Sequence, residues 1–369
     1  MVYLQKKLGK MKNKKNILIL GGGGYLGQSL VELLSKKKYF RINVIDRFFY
    51  VDQKKLFKSK NIYYNKDDIR KLSRDSFKNI NIVIDLSNIS IAPKDHMFFD
   101  KMSWDINYYG RKNNLIYARE ERVEKYLFPS SCSVYGFNDT KAFLNEKSKL
   151  NPKSTYAKTH MSFENFALKQ GNDLFQVISL RLPTLFGYSK RMRFDLIINS
   201  MVWDVLEKKT INLLRDGKQR RPFVHVDDVS RAFLFFINNK SNKFNNNIFN
   251  IGNNMNNINL LNLAKKIFKV LGIKENIVWY GKSDDRSYFV SFNKISKFGF
   301  KPKKSIDYGI RELKRKYLSK ELINENFTKN MVWLEFLENL NKTKKLNTSQ
   351  KMLLKNKKLY NGILKLKKP

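Results

Sequence analysis

Tyr156 and His160 stand four residues apart in TYAKTH, residues 155–160, so on a helix they share one face, while Lys158 points about 200° away. A tyrosine in such a place is a candidate acid–base group. A free phenol has a pKa near 10, and bringing it to about 7 takes three units, roughly 4 kcal/mol of preferential stabilisation of the phenolate. An imidazole is mostly neutral at pH 7, so it can take part in hydrogen bonds but supplies little charge.

A second group lies upstream. In NILILGGGGYLGQSLVELL, residues 16–34, Gly21, Gly24 and Gly27 fit G-x-x-G-x-x-G between a strand and a helix. Small residues are required there because the backbone must turn sharply and approach a pyrophosphate, whose charge then sits on the helix N-terminus at Tyr25 and Leu26. Asp46 closes the next strand, where a carboxylate accepts hydrogen bonds from an adenosine ribose and repels a 2′-phosphate, which points to NAD. Arg47 keeps NADP open, since a guanidinium can accept that phosphate. Asp68 and Ile69 follow the third strand and are placed to flank the adenine.

These residues need a frame to hold them. From residue 16 onward short β-branched runs alternate with helical stretches, the pattern of a parallel sheet covered by helices. Strands are expected at 16–20, 42–46, 61–64, 80–86, 125–131 and 175–182, and helices at 25–35, 101–120 and 157–169. After about residue 186 the rhythm changes: helices are expected at 193–209 and 226–239, with a returning strand at 247–252. The expected fold is an α/β Rossmann-type doubly wound sheet with a smaller, interleaved C-terminal substrate domain. Its expected division is 14–186 with 223–252 for the dinucleotide, 187–222 and 253–320 for the substrate, and 321–369 as a basic C-terminal extension.

Composition narrows the partners. The 369 residues carry a formal net charge of +41, which suits RNA or an anionic membrane surface, yet Lys and Asn are abundant throughout, as in NKFNNN and NLNKTKKLN. A dedicated polyanion site would concentrate its charge, so general compositional bias is the favoured account and no DNA partner is expected. Residues 342–369 have many lysines and no acid, and a contact of this tail with RNA or a membrane surface stays open beside a solvated tail. One cysteine and three scattered histidines provide neither a disulfide nor a metal site, and no signal-length or membrane-spanning apolar run occurs. A cytoplasmic protein is expected.

With the glycine loop, SSCSVYG (130–136), STYAKTHMSFE (154–164) and RRPFVHVDDV (220–229) in this order, residues 15–315 resemble the extended short-chain dehydrogenase/reductase family, most closely its nucleotide-sugar epimerases and dehydratases. The resemblance implies NAD, a nucleotide-sugar substrate and commonly a homodimer. It implies that Ser131 and Tyr156 act on a sugar hydroxyl, that His160 occupies the place of the lysine that holds the nicotinamide ribose, and that Arg221 meets the substrate diphosphate. It further implies substrate contacts for Asn199, structural support from Asn107, and a cleft lined by RLPTLFGYSKRMRFDL (181–196), with Thr184 where many epimerases carry Asn. Cys132 and Ser133 stand where 4,6-dehydratases carry an Asp-Glu pair, which disfavours dehydration by that route. The activity expected is epimerisation through a transient keto sugar. Net oxidation or reduction of a sugar nucleotide, or a catalytically silent fold binding RNA or serving as a scaffold, are the alternatives.

Overall fold

Ile17, Leu18, Ile19 and Leu20 are all buried, and they divide by parity: Ile17 and Ile19 join the core on one face of the sheet, Leu18 and Leu20 the core on the other. A strand apolar on both faces belongs inside a parallel sheet covered on both sides. The structure, a computed structural model, describes residues 14–51, 53–90, 100–136, 143–239, 241–281 and 287–322. Residues 323–369 of the expected basic extension lie outside the described residues.

The central sheet has seven parallel strands: β1 (Lys15–Leu20), β2 (Phe40–Asp46), β3 (Ile62–Lys66), β4 (Ile82–Asp85), β5 (Lys125–Ser131), β6 (Gln176–Leu182) and β10 (Asn247–Asn250), in the order β10-β6-β5-β4-β1-β2-β3. The chain leaves β1 toward β2 on one side and later returns to β4 on the other. Their carboxyl ends therefore flank a crevice at the topological switch point, where open α/β sheets bind ligands. The Rossmann-type sheet expected from the sequence is present.

The helices that cover this sheet carry the site. Helix α1 (Tyr25–Ser35) follows the glycine loop. Helix α2 (Asp100–Trp104) runs through a π-helical turn, Asp105–Gly110, into α3 (Arg111–Glu120), so the expected helix at 101–120 is continuous but wider in its middle. Helix α4 (Thr155–Ala167) starts at the Ser154 cap, whose Oγ accepts from the Ala157 N–H at 3.2 Å. It is clamped to the sheet by Glu164, which accepts from Ser179 Oγ at 3.0 Å and from Arg181 Nε at 3.1 Å, all buried.

Beyond β6 the chain builds a second, three-stranded sheet, β11-β9-β7, from β7 (Thr184–Phe186), β9 (Arg220–His225) and β11 (Asn257–Asn259), and a parallel pair of β8 (Ile211–Leu214) with β12 (Ile277–Tyr280). Helices α5 (Ile197–Lys208), α7 (Leu260–Leu271) and α9 (Ile306–Leu318) pack beside these strands, while α8 (Asn293–Lys297) lies near β10. The return to the central sheet is made by α6 (Val226–Asn238) and β10; α6 meets α1 through a Ser29–Ser230 hydroxyl contact of 2.8 Å. Helix α5 starts at Ile197 rather than at residue 193. Arg193 and Asp195 instead form a two-pronged ion pair, 3.0 and 2.7 Å, that closes a turn ahead of the helix. No helix among the described residues is long and apolar enough to cross a membrane.

Candidate active site

The glycine loop fits against the sheet with no space for side chains. Gly21 has φ +77°, and a Cβ there would lie 2.8 Å from the Ser87 backbone. A Cβ on Gly27 would lie 2.5 Å from the Gly22 carbonyl oxygen, so the start of α1 can approach the loop only as glycine. Gly24 precedes α1 in an extended conformation and offers no side-chain cap, and the first turn holds no acid. Tyr25 and Leu26 line the cleft, and their N–H groups lie in the first turn of α1, where a helix has no acceptors of its own for them and presents the positive end of its dipole. This is the cradle a pyrophosphate requires.

Asp46 braces that cradle. Its Oδ2 accepts from the Gly23 N–H at 2.9 Å and its Oδ1 from the Phe48 N–H at 2.7 Å. Burial raises its pKa above the ordinary value, while those N–H groups and the nearby Arg191 guanidinium oppose the rise. The carboxylate, which also accepts from the Arg47 N–H, keeps lone-pair capacity for a ribose hydroxyl. Arg47 is turned to Asp68 at 2.5 Å, and Arg70 grips the same carboxylate through Nε at 3.0 Å and Nη2 at 2.6 Å. Burial favours the neutral acid there, but the Arg70 hydrogen bonds and the two guanidinium charges outweigh it and bring the Asp68 pKa down to about 2. With Arg47 engaged by a carboxylate, the ribose end suits NAD better than a 2′-phosphate. Asp68 and Ile69 line the same cleft.

The other end of the cleft brings together Ser131, Tyr156 and His160. Ser131 ends β5, and its Oγ accepts from the Ser133 N–H at 3.2 Å and contacts the Ser133 hydroxyl at 2.9 Å. Tyr156 and His160 stack edge to face, with ring centroids 4.4 Å apart, on the inner face of α4, and Lys158 is exposed on the other. Burial raises the Tyr156 pKa above 10.0; the Arg193 guanidinium, hydrogen bonds with Ser90 and Ser131, and the Arg111 charge work to lower it, in that order. Cys132 is fully buried with its Sγ 3.8 Å from the Arg181 carbonyl, and burial pushes its thiol pKa far up, so it serves as packing.

Two residues at this end were not singled out from the sequence. Ser90 follows β4 in SNIS, a stretch without a motif. Arg193, one of 73 basic residues, lies in the segment expected to line the cleft, and only its contact with Ser90, Nη1 to Oγ at 3.1 Å, distinguishes it. Asn107, inside the π-helical turn, holds Ile89 by both its N–H (2.7 Å) and its carbonyl (3.2 Å) and so fixes the approach to Ser90.

The residues expected to contact substrate diverge. Asn199 is buried with its amide committed: Oδ1 accepts from the Gly187 N–H at 3.0 Å, and Nδ2 donates to the Tyr25 hydroxyl at 3.2 Å and the Arg193 carbonyl at 3.0 Å. It is a brace beneath the cleft wall rather than part of its lining. Arg221 sits on β9, donating to the Arg220 carbonyl at 3.0 Å, with its guanidinium 5.9 Å from the ring centre of Tyr288, which does line the cleft.

Residues 17–252 match the sequence profile described as the NAD dependent epimerase/dehydratase family. The chain is similar to the uncharacterized UDP-glucose epimerase YtcB of Bacillus subtilis (strain 168), 25% identical over 231 residues, 58% of this chain and 69% of that one. It is also similar to ADP-L-glycero-D-manno-heptose-6-epimerase of Alkalilimnicola ehrlichii, 24% identical over 247 residues, 60% of this chain and 72% of the relative. Among solved structures, UDP-glucuronic acid 4-epimerase from Bacillus cereus in complex with UDP-glucuronic acid and NAD superposes with a TM-score of 0.72 at 20% identity, covering 81% of this chain and 99% of that one.

Proposed function

Because the chain belongs to the NAD dependent epimerase/dehydratase family, we propose that it epimerises a nucleotide-activated sugar through a transient keto sugar. The observation that carries this reading is the convergence of Tyr156 and Ser131 on the cleft that begins at the Gly21–Gly27 cradle. NAD, when bound, supplies the site that takes up a hydride from the sugar carbon and gives it back within the same turnover. The chain's own residues hold and move the proton. Tyr156, as the phenolate, removes the proton of the sugar hydroxyl, at C4 in this reading, and later returns it; Ser131 hydrogen-bonds the same oxygen and fixes its distance from Tyr156.

Other positions take supporting roles. Asp46 holds the adenosine ribose, the N–H groups of Tyr25 and Leu26 hold the pyrophosphate, and Asp68 with Ile69 borders the adenine. His160 hydrogen-bonds the nicotinamide ribose. Arg221 binds the substrate diphosphate from the rim, a role suited to a planar, permanently charged donor. Asn199 serves substrate binding indirectly, by fixing the loop that carries Arg193. Residues 14–186 with 223–252 form the cofactor half in this reading, and 187–222 with 253–320 the sugar half.

Elimination of water is disfavoured by what flanks Ser131. Cys132 is a buried thiol and Ser133 spends its hydroxyl on Ser131, so neither is a carboxylic acid able to protonate a leaving hydroxide. The test is to incubate purified protein, without added cofactor, with UDP- and dTDP-linked hexoses and follow the sugar protons by NMR. Appearance of an epimer with no net change in cofactor oxidation state is the expected result. A 4-keto-6-deoxy product, or, in a parallel run with NAD+ added in excess, one equivalent of NADH per sugar oxidised, would replace epimerisation by dehydration or net oxidation.

A further inference from the structure

Helix α4 leaves its own tyrosine without a permanent cation. Lys158 is exposed on the opposite face, and the neighbour on the inner face is the imidazole of His160. Burial alone drives a phenol toward its neutral form, so a tyrosine that must ionise near neutral pH needs positive charge from elsewhere. We propose that Arg193, delivered by the turn ahead of α5, is the positioning residue that prepares Tyr156 for proton transfer, acting through Ser90.

The geometry gives Arg193 two sides. One is held by Asp195 through Nε at 3.0 Å and Nη2 at 2.7 Å, and the other meets Ser90, with Nη1 3.1 Å from Oγ and Nη2 3.4 Å from the carbonyl. The Ser90 Oγ thus accepts from a cation and can turn its own O–H toward the Tyr156 oxygen, with which it is hydrogen-bonded. That arrangement favours phenolate: ionisation releases one proton to solvent and leaves an oxygen facing the Ser90 and Ser131 hydroxyls, backed by a guanidinium. The arginine cannot discharge in the attempt, because a guanidinium keeps its proton across the working pH range.

The other charged and titratable groups around Tyr156 are less well placed. Arg111 on α3 is committed to buried Asp85 at 3.1 Å, a carboxylate that also accepts from the Tyr126 hydroxyl at 2.6 Å, and its charge favours the Tyr156 phenolate less than that of Arg193. Asp100 on α2 accepts from Thr155 at the start of α4, and that exposed contact occupies its carboxylate. His160 contributes a ring contact. The coupling is mutual, since Tyr156 in turn raises the pKa of Arg193.

This inference rests on Tyr156 being the acid–base group, but its test does not depend on which sugar is turned over. Full-length protein carrying NAD is titrated by phenolate absorbance, with the Tyr156→Phe trace subtracted to isolate that residue. Arg193→Gln is expected to move the Tyr156 midpoint upward by about one unit or more, Arg193→Lys to move it much less, and His160→Lys added to Arg193→Gln to bring it back down. An unchanged midpoint in Arg193→Gln overturns the proposal. If that variant does not fold, Asp195→Asn decides: removing the counter-charge while keeping the cation should lower the midpoint, and no movement overturns the proposal equally. Failure of the NMR assay with these shifts present would reject the epimerase reading and leave the Arg193–Tyr156 coupling standing.

Discussion

At the Gly21–Gly27 end of the cleft, what faces a ligand is main chain, the N–H groups at the start of α1, braced by one strand-end carboxylate. At the Tyr156 end the candidate reacting groups are side chains, and they come from separate segments: Ser90 after β4, Ser131 at the end of β5, Tyr156 and His160 on α4, and Arg193 before α5. The two constructions fail in different ways. A main-chain cradle is lost only when a side chain is forced into it, so its identity is written in glycines. A cluster of side chains can keep its chemistry while charge moves from one member to another, so no single position defines it. On the proposed coupling of Arg193 to Tyr156, the His160 ring is tolerable for that reason.

The largest effect that can break this comparison is removal of the proposed proton carrier. Tyr156→Phe is expected to lower turnover by about 10²- to 10⁴-fold, the usual contribution of a positioned acid–base group, while NAD released on denaturation stays near wild-type stoichiometry. Loss of NAD together with activity would mean that the two ends of the cleft are not separable. Next in size is Gly27→Ala. Its methyl group would enter a space bounded by the Gly22 backbone at 2.5 Å, so the helix must shift, costing about 1–3 kcal/mol of stability by overpacking and most of the NAD content. Thermal unfolding together with denaturing release of NAD checks both halves. An alanine variant that holds NAD at full stoichiometry would show that the cradle is not set by close approach of backbone to backbone.

Legibility followed the same divide. The glycine loop, Asp46, and the positions of the central strands along the chain could be read from contiguous stretches, because local spacing dictates local geometry and apolar runs dictate burial on both faces. Ser131 and Tyr156 were legible through the ordered motifs they sit in. Ser90 and Arg193 were not: their approach to Tyr156 is made by the sheet order and by a turn that an Arg193–Asp195 ion pair closes, and among 73 basic residues nothing local marks one. The π-helical turn at Asp105–Gly110 was also hidden, since a 3.6-residue pattern reads straight through it, yet it places Asn107 against Ile89. Asn199 shows the reverse case. Its position suggested substrate contact, but packing consumed its amide in holding Gly187, Tyr25 and the Arg193 carbonyl.

The smallest effect sharpens the comparison at the dinucleotide end, where Asp68 with Arg47 and Arg70 forms a charged cluster beside the main-chain cradle. Its carboxyl titrates near 2 in the folded protein against an ordinary 3.8, because the hydrogen bonds from Arg70 and the two cations outweigh the cost of burial. A depressed acid stabilises the fold above its unfolded pKa, and that contribution fades as pH falls through the folded one. The difference corresponds to about 2 kcal/mol, fully present at neutral pH and at pH 5, and lost between about pH 4 and pH 2. Denaturant unfolding of the wild type and Asp68→Asn across that range is expected to show a gap that narrows as the acid protonates. A gap that stays constant down to pH 2 would assign Asp68 a packing role instead, and the charge cluster would add nothing to a cradle already held by glycines and Asp46.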